Sequence, residues 1–300
     1  MAVARTTPAR GRPPVRRWAP YLLISPTVLL IAVFLVYPIG SVLYYSLRHH
    51  NLTQPWADGF AGLENFRRML TEDPLFWSSL GFTAKWVVVE TGLQLVLGLA
   101  LALIVNESFI GRALARSLVF SPWAVSGVLT TGIWILLYNP TTGILRYLGA
   151  PETAVLGNPH TVFGAVVVTE LWRGVPFFAI LLLAGLQGVP GELYEAAAVD
   201  GAGRVRRFLH VTLPHLRDAI VLATLLRSVW EFNNVDLIYT LTGGGPAQVT
   251  TTLPLYVAQR AIDSKDFGYG SALTTAGFLI LLFCSLLYLR LSRFGADRNG

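Results

Sequence analysis

Residues 192–203 read ELYEAAAVDGAG, a polar, alanine-rich dozen inside an otherwise very apolar chain. Pro190, Gly191 and Glu192 make a helix start with its acid in the first turn, where the helix dipole favours negative charge. Ala196, Ala197 and Ala198 are strong helix formers with little bulk. Asp200-Gly201 then offers a stop, because glycine tolerates the left-handed cap. The spacing predicts a helix of about two or three turns, too short to persist alone in water. Such a helix needs a partner surface, and a small-residue face lets one approach closely.

Long apolar runs flank this dozen and recur along the chain, at 21–47, 80–105, 117–138, 161–186, 218–241 and 270–289. A bilayer span needs about 20 residues, and every backbone polar group must then be satisfied within the segment, so the runs read as helices. Composition agrees. Over 300 residues the chain is 53% hydrophobic and 13% charged, with a mean hydropathy of +0.55; a soluble domain averages about 25% charged residues. Run 21–47 carries no charge and is followed by no small-residue cleavage site, so it reads as a retained span rather than a signal peptide. The expected fold is all-α and integral to the membrane, with six transmembrane helices.

The charges orient it. The net charge is +6 and the pI about 9.7. Fourteen of the 23 basic residues fall on the side of the N-terminus, among them Arg16, Arg17, Arg112, Arg116, Arg204, Arg206, Arg207, Arg217, Arg290 and Arg293. Six fall on the other side, and Lys85, Arg173 and Arg227 lie within spans. The positive-inside bias places both termini in the cytoplasm, and the basic balance then requires no nucleic-acid partner. The single cysteine, Cys284, allows no intrachain disulfide and no cysteine-based metal site. Arginine's excess over lysine suggests a high-GC bacterial source, with the protein in its cell membrane.

The expected organisation is a disordered cytoplasmic tail at 1–19, a first span with its outer loop at 20–78, a main transmembrane domain at 79–290 containing an inner loop at 187–217, and a cytoplasmic tail at 291–300. In the outer loop, Leu63, Phe66, Met69 and Leu70 fit one face of a helix lying at the membrane surface. In the inner loop, Val205, Phe208, Leu209 and Thr212 fall at helical spacing, with arginines on the other faces. That pattern fits an interfacial segment ending near Pro214, and equally an ordinary connector with a solvated basic face.

EAAAVDGAGRVRRFLHVTLP, residues 195–214, resembles the EAA loop of importer-type ABC transporter permeases. The likeness extends upstream through LWRGVPFFAILLLAGLQGVPGELY and downstream through EFNNVDLIYTLTGGGPAQVTTTLPLYV, where it resembles carbohydrate permeases. LTGGGP at 241–246 suits the large-permease subunit type. The resemblance implies a type I ABC importer transmembrane fold. It makes 192–201 a coupling helix that docks into a cytoplasmic ATPase: Glu195 pairs with a basic group, Ala196 and Ala197 let the helix seat, and Asp200 and Gly201 end it. It also implies a second permease subunit, two ATPase subunits that bind the ATP and magnesium, and an extracytoplasmic solute-binding protein. The expected cargo is a sugar, a disaccharide such as trehalose or maltose; glycerol phosphate and polyamines are other cargoes to weigh.

The chain has no nucleotide site of its own to contradict this. A P-loop needs G-x-x-x-x-G-K-[ST], and the two lysines, Lys85 and Lys265, follow Ala84 and Ser264. The five histidines (49, 50, 160, 210, 215) are scattered and match no hydrolase motif. The chain reads as a non-enzyme without a cofactor of its own. Ionisable groups within spans are functional candidates. Glu170 with Arg173 and Arg227 with Glu231 are spaced to form structural pairs. Asn233, Asn234 and Asp236 are the preferred substrate-path candidates, because amides and carboxylates hydrogen-bond sugar hydroxyls. Trp230 and Tyr239 add rings that can stack on a pyranose, and Glu90 is a further candidate. In a rival reading Glu90 or Asp236 relays protons in an ion-coupled transporter; such folds carry inverted repeats, and none is visible here. A non-transporting scaffold is the other rival.

Overall fold

A computed structural model describes residues 18–149 and 155–292. The expected tails fall on 1–17 and 293–300, outside the described residues, apart from a few that belong to the first and last helices. Five described helices are long and apolar enough to cross a membrane: α1 (Tyr21–Ser46), α3 (Pro74–Asn106), α6 (Val162–Gln187), α8 (Arg204–Phe232) and α11 (Phe267–Ser292). The sixth candidate is a pair, α4 (Arg112–Ala124) and α5 (Gly127–Leu137), which is long and apolar enough when taken together but bent by 98°. The shorter helices are α2 (Glu64–Thr71), α7 (Gly191–Val199), α9 (Asp236–Leu241) and α10 (Leu253–Ala258).

Three expected spans differ from the helices observed. The second starts at Pro74, so the 78/79 boundary falls inside it. Asp73 starts α3: its Oδ1 accepts from Leu75 N at 3.0 Å and Phe76 N at 3.3 Å, and Pro74 occupies the first turn, where its missing N–H costs nothing. The third expected span is not straight. Pro122 lies in the last turn of α4, Val125 is extended, and Ser126 caps α5 through Leu129 N at 3.3 Å. The fifth is shifted. Its helix begins at Arg204, passes through a wide π turn at Phe208–Thr212, and stops at Phe232. Pro214 has no N–H for the carbonyl of His210, and the π turn immediately upstream absorbs that defect. The segment expected to end near Pro214 is therefore the root of the fifth span, and the loop 187–217 includes its first turns.

α6 is the centre of the bundle, buried along most of its length, and packs on α3, α4 and α8. Small residues allow the close approach: a Cβ on Gly98 of α3 would collide with Phe178 Cβ of α6. Phe178, Leu182 and Leu216 fill one core beside Ala102, and Trp86, Val166, Leu237 and Ile238 fill another. α1 stands outside; its apolar length is exposed in this chain, and it touches the bundle through α11.

A third core joins the outer loop to the bundle through Met69, Phe76, Tyr256, Tyr269 and Leu273. A short antiparallel ribbon, Arg48–His49 with Gly59–Phe60, closes the loop. Asn65 is buried, donating to the carbonyls of Ser46 at 3.0 Å and Arg48 at 2.9 Å. α2 therefore does not lie free at the membrane surface: Asn65, Phe66 and Met69 face inward, and Leu63 and Leu70 are exposed. Asp73 anchors this end, accepting from Tyr256 Oη at 2.5 Å and from Tyr269 Oη. Burial raises the Asp73 carboxyl, but those phenols and the two backbone amides outweigh it and hold the group below its ordinary value.

Candidate functional site

Five ionisable side chains and one amide meet in the middle of the bundle. Arg227 of α8 donates through Nη2 to Glu170 Oε1 at 2.5 Å and lies 2.6 Å from Glu231 Oε1. Its Nε donates to Gln94 Oε1 of α3 at 2.6 Å. Gln94 Nε2 in turn donates to Glu90 Oε2 at 3.0 Å and Glu231 Oε1 at 3.1 Å. Arg173 donates to both oxygens of Glu170 at 3.1 Å. The expected pairs 170/173 and 227/231 both form, but as parts of one network that ties α3, α6 and α8 together. Gln94 is its hub, and sequence spacing gave no sign of that.

Gly174 makes room for the network. A Cβ there would meet Arg227 Nη2 and the Gln94 amide. Gly174→Ala is expected to cost about 1–3 kcal/mol by overpacking. Thermal unfolding of the solubilised complex measures this, and an unchanged midpoint would show that the network has slack.

The network forms the floor of a cavity of about 260 Å³ lined by Glu170, Arg173, Arg227, Trp230, Glu231, Asn233 and Asn234. Trp230 is half exposed, and its ring lies 5.0 Å from that of Phe177. α8 ends here, at Phe232, and the break before α9 presents Asn233 and Asn234 at the cavity edge. Asn234 Nδ2 reaches Glu231 Oε2 at 3.4 Å. The site thus has one indole face, two amides and a hydrogen-bonded charged floor. A hydroxyl-rich ligand can satisfy such a set.

The six substrate-path candidates divide three ways. Trp230, Asn233 and Asn234 share this cavity. Asp236 and Tyr239 line a neighbouring one of about 250 Å³ with Val128, Thr240, Ala258 and Asp263. Glu90 is fully buried behind Gln94 and lines neither cavity. The glycine turn at 243–246 is held by its neighbours: Thr250 Oγ1 donates to Gly245 O at 2.7 Å and lies 2.9 Å from Thr242 Oγ1.

On the opposite, arginine-rich face, α7 spans Gly191–Val199 as its sequence predicts. Gly201 has φ +74°. Its N–H donates to Ala198 O at 3.0 Å, and the Ala202 N–H donates to Ala197 O at 2.9 Å, a paired left-handed cap. Tyr194 Oη lies 3.0 Å from Thr212 Oγ1 and ties α7 to the root of α8. Glu195, Ala196, Ala198 and Val199 are exposed. Among the described residues Glu195 has no side-chain partner. A cleft of about 700 Å³ beside α7 is walled by Tyr194, Arg204, Arg207, Asn106 and Glu107.

A profile of the family described as binding-protein-dependent transport system inner membrane component matches residues 94–298. The trehalose/maltose transport system permease protein MalF of Thermococcus litoralis is 38% identical over 281 residues, 92% of this chain and 94% of that protein. The sulfoquinovosyl glycerol transport system permease protein SmoG of Agrobacterium fabrum is 35% identical over 276 residues, 91% of this chain and 89% of that one. In shape, the chain is similar to one from the crystal structure of a bacterial alginate ABC transporter in complex with an alginate pentasaccharide-bound periplasmic protein. The TM-score is 0.80 at 20% identity, covering 92% of this chain and 94% of that chain, so this likeness is one of fold.

Proposed function

This chain belongs to the family of binding-protein-dependent transport system inner membrane components, and on that premise we propose that it carries a disaccharide such as trehalose or maltose inward by alternating access, driven by ATP hydrolysed on another chain. It is a multi-pass membrane permease of a sugar ABC importer, with the type I transmembrane fold. The observation that carries the coupling is α7, an exposed helix with a small-residue face, tied to a membrane span, on a chain without a P-loop. Closure of a cytoplasmic ATPase around α7 would pass through Tyr194–Thr212 to α8 and so to the cavity. The partners are a second permease subunit, two ATPase subunits that bind the ATP and magnesium, and an extracytoplasmic solute-binding protein. Within the cavity Trp230 would stack on a sugar face while Asn233 and Asn234 hydrogen-bond its hydroxyls.

Uptake in right-side-out vesicles is expected to require internal ATP and to persist when a protonophore collapses the proton gradient. Uptake that fails with the gradient while ATP remains high would favour an ion-coupled transporter instead. The relative that transports sulfoquinovosyl glycerol makes a charged sugar the cargo to set against a neutral one.

A further inference from the structure

The cavity floor has no net positive charge. Arg227 is 7% exposed and is shared by Glu170, Glu231 and Gln94. Arg173, at 25% exposure the more accessible guanidinium, is chelated by both oxygens of Glu170. Two guanidiniums therefore face two carboxylates at the floor, with Glu90 behind them. The adjoining cavity adds Asp236 and Asp263 and no lysine or arginine. Two cations outside these cavities are engaged elsewhere: Lys85 sits 3.8 Å from the centre of the Phe163 ring, and Arg260 donates to Tyr256.

We propose that the permease itself filters sugars by charge: Glu170 and Glu231 consume the two arginines of the cavity wall, so the site takes uncharged saccharides and rejects anionic ones. The proposal rests on the reading of this cavity as the sugar site. A carboxylate- or sulfonate-bearing sugar meets no net positive charge here, because each guanidinium is already balanced by a carboxylate, and drawing Arg227 to it would separate a buried Arg–Glu pair and strand a carboxylate in a low dielectric. A neutral sugar meets the indole and the two amides without disturbing that pairing. Discrimination comes from the unfavourable term built against the wrong ligand, and it acts in addition to any selection by the binding protein.

The test uses the assembled complex of both permeases and both ATPases in nanodiscs, without the binding protein, so that only the membrane site is read. Equilibrium dialysis compares labelled maltose with the disaccharide in which one hydroxymethyl group is oxidised to a carboxylate. Maltose is expected to bind saturably, and the uronate at least about tenfold more weakly. Glu231→Gln removes one of the neutralising charges and should narrow that gap by about tenfold. Asn233→Lys adds a cation at an exposed position outside the buried network and should tighten uronate binding itself, whatever the lost amide costs maltose. Uronate binding as tight as maltose in the wild type overturns the filter and leaves sugar import standing. If a complex that still hydrolyses ATP binds neither sugar saturably, the assignment of the cavity as the sugar site falls, and the filter with it.

Discussion

Arg227→Met is expected to cost the folded bundle about 3–5 kcal/mol, because it leaves Glu231 buried without a cation, beside a Glu170 that keeps only Arg173. Several kcal/mol is a large part of the stability of any domain, so the variant should appear at much reduced level and unfold at lower temperature in detergent. The loss of hydrogen bonds alone predicts less, about 0.5–1.5 kcal/mol for each ordinary bond. A control separates the two accounts. Arg227→Met combined with Glu170→Gln and Glu231→Gln removes the stranded charges and should recover more than half of the loss. A single variant within about 1 kcal/mol of wild type would mean that water or a proton compensates the carboxylates, and the network would lose its structural role.

Gly201→Asp and Glu195→Lys should each lower uptake by at least about tenfold, a loss of about 1.4 kcal/mol or more in coupling, while the complex still assembles. The local geometry says why the fold survives. Gly201 needs φ +74°, but a Cβ there meets no atom within 4 Å. The direct cost is thus the left-handed conformation alone, about 1–2 kcal/mol, and aspartate is among the residues that tolerate it best. Glu195 is exposed, so its reversal to lysine strands nothing inside this chain. Any large effect must arise where α7 meets its partner: a displaced cap in one case, a like-charge contact in the other. The measurement pairs ATP hydrolysis with sugar uptake in proteoliposomes. Hydrolysis retained with uptake lost is the expected result, and normal uptake in both variants would remove α7 from the coupling path.

The six crossings were legible because hydropathy is a sum over about 20 residues and survives local irregularity. The same averaging hid the breaks. Nothing in the mean apolarity of 117–138 marks the turn at Ser126, and the run 218–241 reads across the gap between Phe232 and Asp236. The root of α8 was missed for the opposite reason. Arg204–Arg217 is too charged to count as a span, yet its helix continues through the π turn into one. In the outer loop an apolar face was read at Leu63, Phe66, Met69 and Leu70; Phe66 and Met69 do turn inward, but Leu63 and Leu70 are exposed and Asn65 is buried, because the backbone it serves there is stabilised by its amide.

By itself the sequence determined the helical class, the number of crossings, the side on which the arginines lie, the short helix at 191–199 with its glycine cap, and the pairs Glu170/Arg173 and Arg227/Glu231. All of these depend on composition or on neighbours within four residues, where helix geometry sets the distances. Only the tertiary structure decided that the two pairs are one network, that Gln94 joins them, that Trp230 shares a cavity with Asn233 and Asn234, and that Glu90 stands behind it. Arg227 and Glu170 are 57 positions apart, and Arg227 and Gln94 are 133. Which faces of three helices meet depends on small residues such as Gly98 and Gly174, which let the helices close, and no periodicity within one helix carries that information.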